Sequence, residues 1–224
     1  MKKTGCDFLI RGIDPLELLL SIPALLLAIT FHEFAHGYMA DRLGDPTPRY
    51  YGRLTLNPLK HLDPLGTIAL LFLRYGWAKP VPINPAYFDN KKNGTALVGL
   101  AGPLANMILA FLALVISKIL NLNILAYSYY SGYTSYFGQI LFYILVYNIG
   151  LAIFNLIPIP PLDGSKIFIS LLPPKWYYNI LQYESYGQII LLLLLFSGML
   201  SPVLSFLFKI VLSIMLSIIK ILPI

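Results

Sequence analysis

Charge is scarce in this 224-residue sequence: only 12% of the residues are Asp, Glu, Lys or Arg, against 58% apolar residues. Such a chain lacks the polar surface that a water-soluble fold of this size needs, and its mean hydropathy is +0.73. Several apolar runs reach about 18 residues or more, enough to cross a hydrocarbon layer of ~30 Å, which argues against a soluble helical domain. Cysteine is almost absent. Cys6 stands alone, so no intramolecular disulfide can form and thiol nucleophilic chemistry is disfavoured. The net charge is +6, but Lys and Arg are dispersed through loops and form no basic stripe with stacking aromatics, so nucleic acid is not an expected partner.

What is present is a series of apolar helices separated by proline-rich and basic segments. The stretch Leu16 to Ala40 is opened by Asp14, Pro15 and Glu17, which fit an N-cap, an N1 proline and the acid of a capping box. Acids directly before it and the length of the run argue against a cleavable signal peptide, and Pro23 is expected to kink it. Residues 41 to 94 carry eight of the sixteen basic residues and many prolines. Within them, Arg49 to Leu56 alternates like a strand, and Gly66 to Leu73 is apolar but too short to span. Ala96 to Ile116 reads as a second span, with Gly99, Ala101, Gly102, Ala105 and Ala110 as small positions for close helix approach. A Tyr-rich loop follows (Tyr127, Tyr129, Tyr130, Tyr133, Tyr136), and Gln139 to Leu156 returns through the bilayer into Pro158, Pro160 and Pro161, which must end it. The almost wholly apolar chain from Ile189 to Leu222, interrupted at Gly198, Ser201 and Pro202, reads as two helices, one of them short.

The expected fold is thus an all-α polytopic membrane protein of about 5–6 transmembrane helices. A small membrane-associated β-hairpin or sheet is expected between the first and second spans. One integral-membrane domain, 1–224, is expected, with a catalytic core over about 15–166 and accessory helices over about 187–224. Loops 41 to 94 and 159 to 187 hold most of the basic residues, which places them in the cytoplasm by the positive-inside rule.

On the first helix stands His32-Glu33-Phe34-Ala35-His36. Positions i and i+4 share a helix face, so two imidazoles can grip one metal ion while Glu33 stands beside them as a base. Chance alone gives this pattern in roughly five chains of this composition per ten thousand. Ionisable groups inside an apolar helix cost a few kcal/mol each if unpaired, and a metal is among the few partners that would offset this. The site would lie about 6 to 12 Å back from the helix end at Ala40, below the cytoplasmic surface.

A catalytic zinc needs a third protein ligand and an open position for water. The extended histidine motif of soluble proteases would need Gly at 39 and His at 42, where this chain has Met39 and Arg42, and no Glu lies between Glu33 and Glu184. Asp41, Asp45, His61, Asp63, Asp89 and Asp163 remain as candidates. Asp163 has the best context, following a spanning helix that three prolines unwind, although Pro-Leu-Asp-Gly is also an ordinary turn.

Three segments in order, His32 to His36, then Ala101-Gly102-Pro103-Leu104-Ala105-Asn106, then Asn155 to Gly164, closely resemble the site-2 protease family of intramembrane zinc metalloproteases, in its compact branch without a PDZ domain. The resemblance covers about residues 15 to 166. It implies one zinc ion per chain held by His32, His36 and Asp163, Glu33 as the base that activates water, and Asn106 and Asn155 near the cleft. His61, the last histidine, is open between a ligand, a proton shuttle and a loop residue. The implied activity is endoproteolysis of transmembrane segments of membrane-protein substrates, within a multi-pass cell-membrane protein whose active site faces the cytoplasm. The alternative is a non-enzymatic metal-binding membrane protein or transporter with a buried His/Asp site, which would not need Glu33.

Overall fold

A computed structural model describes residues 15–66, 77–125, 135–173 and 184–222. Helix α1 (Pro15–Arg42) starts on a proline whose missing N–H costs nothing there, carries Glu17 in its first turn and runs unbroken through Pro23. Asp14, the proposed cap, lies outside the described residues. Beyond Arg42 the chain turns at Gly44 into a short helix α2 (Thr47–Tyr50). The second span, α3 (Lys91–Ile119), is capped by Asn90, whose side chain accepts from the Asn93 amide at 3.1 Å. The third, α4 (Tyr136–Asn155), is capped in the same way by Ser135. It stops before the proline cluster, and seven residues separate it from α5 (Asp163–Leu171). Two helices close the described chain, α6 (Glu184–Phe196) and α7 (Leu200–Ile221), parted at Gly198.

Four of these helices (α1, α3, α4 and α7) are long and apolar enough to cross a membrane, and α6 is apolar but shorter. Helices α1, α3 and α4 pack together along their lengths. The main apolar core lies between α3, α4 and α7 and is built from residues such as Ala110, Leu114, Leu145, Ile149 and Met215. Large side chains such as Leu104, Ile108 and Leu112 remain outward on α3, as a lipid-facing surface requires.

Two expectations are corrected. About five or six spans were expected, and the described residues hold four helices of sufficient length. The expected β-hairpin or sheet between the first two spans is not there: the described residues contain no β-strand, only an isolated bridge between Leu62 and Ala78. The alternation from Arg49 to Leu56 is misleading because Pro46 and Pro48 favour helical φ at the start of the segment. Gly52 then turns the chain at φ +61°. Tyr50 and Tyr51, next to each other, are both strongly exposed, which no half-buried strand would allow. Most of Gly66 to Leu73 and the Tyr-rich loop lie outside the described residues.

Polar side chains organise this connection instead of a sheet. The buried guanidinium of Arg53 donates to the carbonyls of Lys60, Lys79 and Pro80. Buried Asp45 accepts from the amides of Thr47 at 2.9 Å and Asn84 at 2.6 Å. Replacing Arg53 by Met would orphan three carbonyls in a water-poor setting. The expected cost is about 2–4 kcal/mol in thermal or denaturant unfolding of the detergent-solubilised protein.

Candidate metal centre

One turn apart on α1, His32 and His36 are both 5% exposed, and their Nε2 atoms approach to 3.0 Å. Asp163, the first residue of α5, brings Oδ2 to 3.1 Å from His32 Nε2 and 3.0 Å from His36 Nε2. The break between α4 and α5 thus turns a carboxylate back toward the first helix across 131 residues of sequence from His32. Among the described residues, these three form the grouping of His, Cys, Asp and Glu able to hold a metal.

The outer nitrogens of the two rings determine what the inner ones present. Nδ1 of His36 faces the carbonyl of Val98 at 2.7 Å, an atom that can only accept, so this nitrogen carries the proton. Nδ1 of His32 faces Oδ1 of Asn106 at 2.6 Å. The Asn106 amide cannot be turned over, because its Nδ2 donates to the Ala28 carbonyl at 3.0 Å and to Asn148 Oδ1 at 2.7 Å. His32 therefore also donates from Nδ1. With both protons outward, two Nε2 lone pairs and one carboxylate oxygen converge at 3.0–3.1 Å, a repulsive arrangement unless a cation lies among them. Two imidazoles and a carboxylate with outward N–H bonds fit a catalytic zinc site.

Helix α3 makes this approach sterically feasible. A Cβ added at Gly102 would lie 2.4 Å from His36 Nε2 and 2.7 Å from His32 Cε1, so no larger residue fits beside the rings. On the other side, Lys166 Nζ donates to Asp163 Oδ1 at 2.9 Å and leaves Oδ2 for the histidines. Burial alone would push the Asp163 carboxyl up. The Lys166 ammonium beside it acts in the opposite direction and favours the anionic form that a ligand requires.

Glu33 is half-buried, and its Oε2 accepts from the Val81 amide at 3.0 Å, so the extended chain after Ala78 lies against it. His61 is not brought to the metal centre. It is fully buried in the connection, Nε2 facing the Thr55 carbonyl at 2.8 Å, and its own carbonyl accepts from the Lys79 amide at 2.9 Å. Asn155 donates to the Leu151 carbonyl of its own helix. Of the other acids considered, Asp41 pairs with Arg49, Asp45 braces the loop and Asp63 accepts from the Gly66 amide. Sequence reasoning missed Asn148 and Lys166. A lone amide at position 148 of an apolar span was the available signal for the first.

The fold and the site define a membrane-embedded protein with a buried His/His/Asp group able to hold a metal ion. The model of the Peptidase family M50 matches residues 124–201. The chain is 42% identical to YwhC of Bacillus subtilis strain 168 over 173 residues, 76% of this chain and 77% of that protein. It is 28% identical to Rip2 of Mycolicibacterium smegmatis over 183 residues, covering 79% of this chain and 66% of Rip2. It is also 26% identical to MJ0392 of Methanocaldococcus jannaschii over 179 residues, covering 79% of this chain and 42% of MJ0392. The words zinc metalloprotease stand in all three names. No solved structure matches the chain. The chain belongs to the M50, or site-2 protease, family of zinc metalloproteases.

The cradle supplies a direct test. Gly102→Ala places a methyl group against both rings, and metal analysis of the purified variant is expected to show at least a tenfold loss of retained zinc at limiting zinc concentration.

Proposed function

We propose that the chain is an intramembrane endopeptidase that cleaves transmembrane segments of membrane-protein substrates near the cytoplasmic face of the cell membrane. The observation that carries this reading is the convergence of His32 and His36, inside an apolar spanning helix, with Asp163 at the start of α5, one residue from a carboxylate that is not among them. In this reading His32, His36 and Asp163 hold the zinc and Glu33 is the general base. Bound zinc supplies a Lewis acid that lowers the pKa of water and polarises the scissile carbonyl.

The chain's own residues then account for the proton. Val81 N–H fixes one oxygen of Glu33, and the other accepts the proton of the attacking water and hands it to the departing amine nitrogen. The Val98 carbonyl and the Asn106 amide hold the rings through proton removal and return. A substrate helix hides its peptide bonds in its own hydrogen bonds and must unwind locally before attack. Strand addition onto residues 49–56 does not provide for this, since that segment begins as helix α2. The basic loops around the site support the cytoplasmic orientation.

The test uses purified full-length chain in detergent with a model transmembrane peptide, reading zinc content and the mass of the products. Wild type is expected to retain one zinc and cut within the apolar segment. Glu33→Gln is expected to keep its zinc and lose about 10²–10⁴-fold in rate. Asp163→Ala is expected to lose both zinc and cleavage. Wild-type cleavage by Glu33→Gln, or products cut only outside the apolar segment, would overturn the reading.

A further inference from the structure

Asn148 sits near the middle of α4 and is fully buried. Its Nδ2 donates to the Ile144 carbonyl one turn back at 2.8 Å, which leaves Oδ1 facing α3. There it accepts from Asn106 Nδ2 at 2.7 Å, and Asn106 in turn receives the His32 Nδ1 proton. Every bond in this series has a forced direction, because its end groups, the carbonyls of Ile144 and Ala28, can only accept. One row of side chains therefore links α4, α3 and α1 at a single level and ends on a proposed metal ligand.

We propose that Asn148 is a positioning residue of the metal centre: by holding the Asn106 amide from a second side it keeps Oδ1 aimed at His32 Nδ1, and so fixes the ring orientation of His32 and the metal affinity. This rests on the assignment of His32, His36 and Asp163 as the zinc ligands. Without an acceptor at 148, one N–H of the Asn106 amide is left unpaired in a buried site, and the bond to Ala28 still forces the amide's direction but holds it from one side only, so its aim at His32 loosens. A purely structural amide would instead tie two helices together, and its loss would lower stability while the folded protein bound metal as before.

The experiment measures zinc affinity by chelator competition, and the visible spectrum of the cobalt(II)-substituted protein, on detergent-purified, folded full chain. Asn148→Ala is expected to weaken zinc binding by about tenfold and alter the cobalt spectrum. Asn148→Asp is expected to restore both, because a carboxyl kept neutral by burial donates from its hydroxyl to Ile144 and accepts from Asn106 as the amide does. Wild-type affinity and an unchanged spectrum in Asn148→Ala would overturn the proposal. If Asn148→Ala does not fold, Asn148→Ser decides in its place, since its short hydroxyl keeps the bond to the Ile144 carbonyl and does not reach Asn106: weakened metal binding sustains the proposal, and wild-type affinity with an unchanged spectrum refutes it. Failure of the wild type itself to take up zinc or cobalt would instead refute the ligand assignment.

Discussion

Everything in this structure is subordinate to keeping three electron-pair donors within 3.1 Å of one another in an apolar bundle. Unpartnered, such groups would cost several kcal/mol in a membrane interior, so each outward-facing atom is given a partner. His36 uses a backbone carbonyl of α3, His32 an amide that is itself held from two sides, and Asp163 the ammonium of Lys166. The close approach depends on α3 having no side chain at position 102. The same run of small residues that permits tight helix packing is therefore what leaves room for the rings.

The extramembrane connection serves the site by a separate route. Arg53 is buried, has no carboxylate partner among the described residues, and holds the carbonyls of Lys79 and Pro80, the two residues before Val81. Val81 N–H is the group that holds Glu33. His61 acts in the same place, since its carbonyl takes the Lys79 amide. A charged side chain, a histidine and Asp45 thus anchor an extended segment that has no sheet to belong to. Their hydrogen bonds replace the ladder that a strand would have supplied.

What could be read from the sequence was what depends on short-range geometry. The i, i+4 spacing of His32 and His36 follows from helix pitch, and the end of α4 at Asn155 follows from three prolines that cannot continue it. Asp163 was reachable because those prolines lie beside it, although its aim toward α1 is a tertiary fact that the family resemblance supplied and spacing did not. The strand reading failed because period-2 alternation over eight residues is weak evidence beside two prolines and a left-handed glycine. Asn148 was passed over for a different reason. An amide in a long apolar run announces that it has a partner, but which helix supplies that partner depends on packing no single sequence displays.

The division of labour between the helices follows from the same constraint. Within their most apolar windows, 44% of α3 and of α4 is buried, against 11% for α7, although all three are long enough to span. Helix α7 meets the others through one apolar seam and at its end, where Lys118 Nζ donates to the carbonyls of Ile219 and Leu222. None of the three converging side chains, nor any residue that orients the rings, stands on it. Placement to a few tenths of an ångström requires rotamers locked by packing and hydrogen bonds, and that locking is concentrated where α1, α3 and α4 cross. An outer helix facing lipid can contribute apolar area to such a bundle, but it cannot set the distances on which two imidazoles and a carboxylate depend.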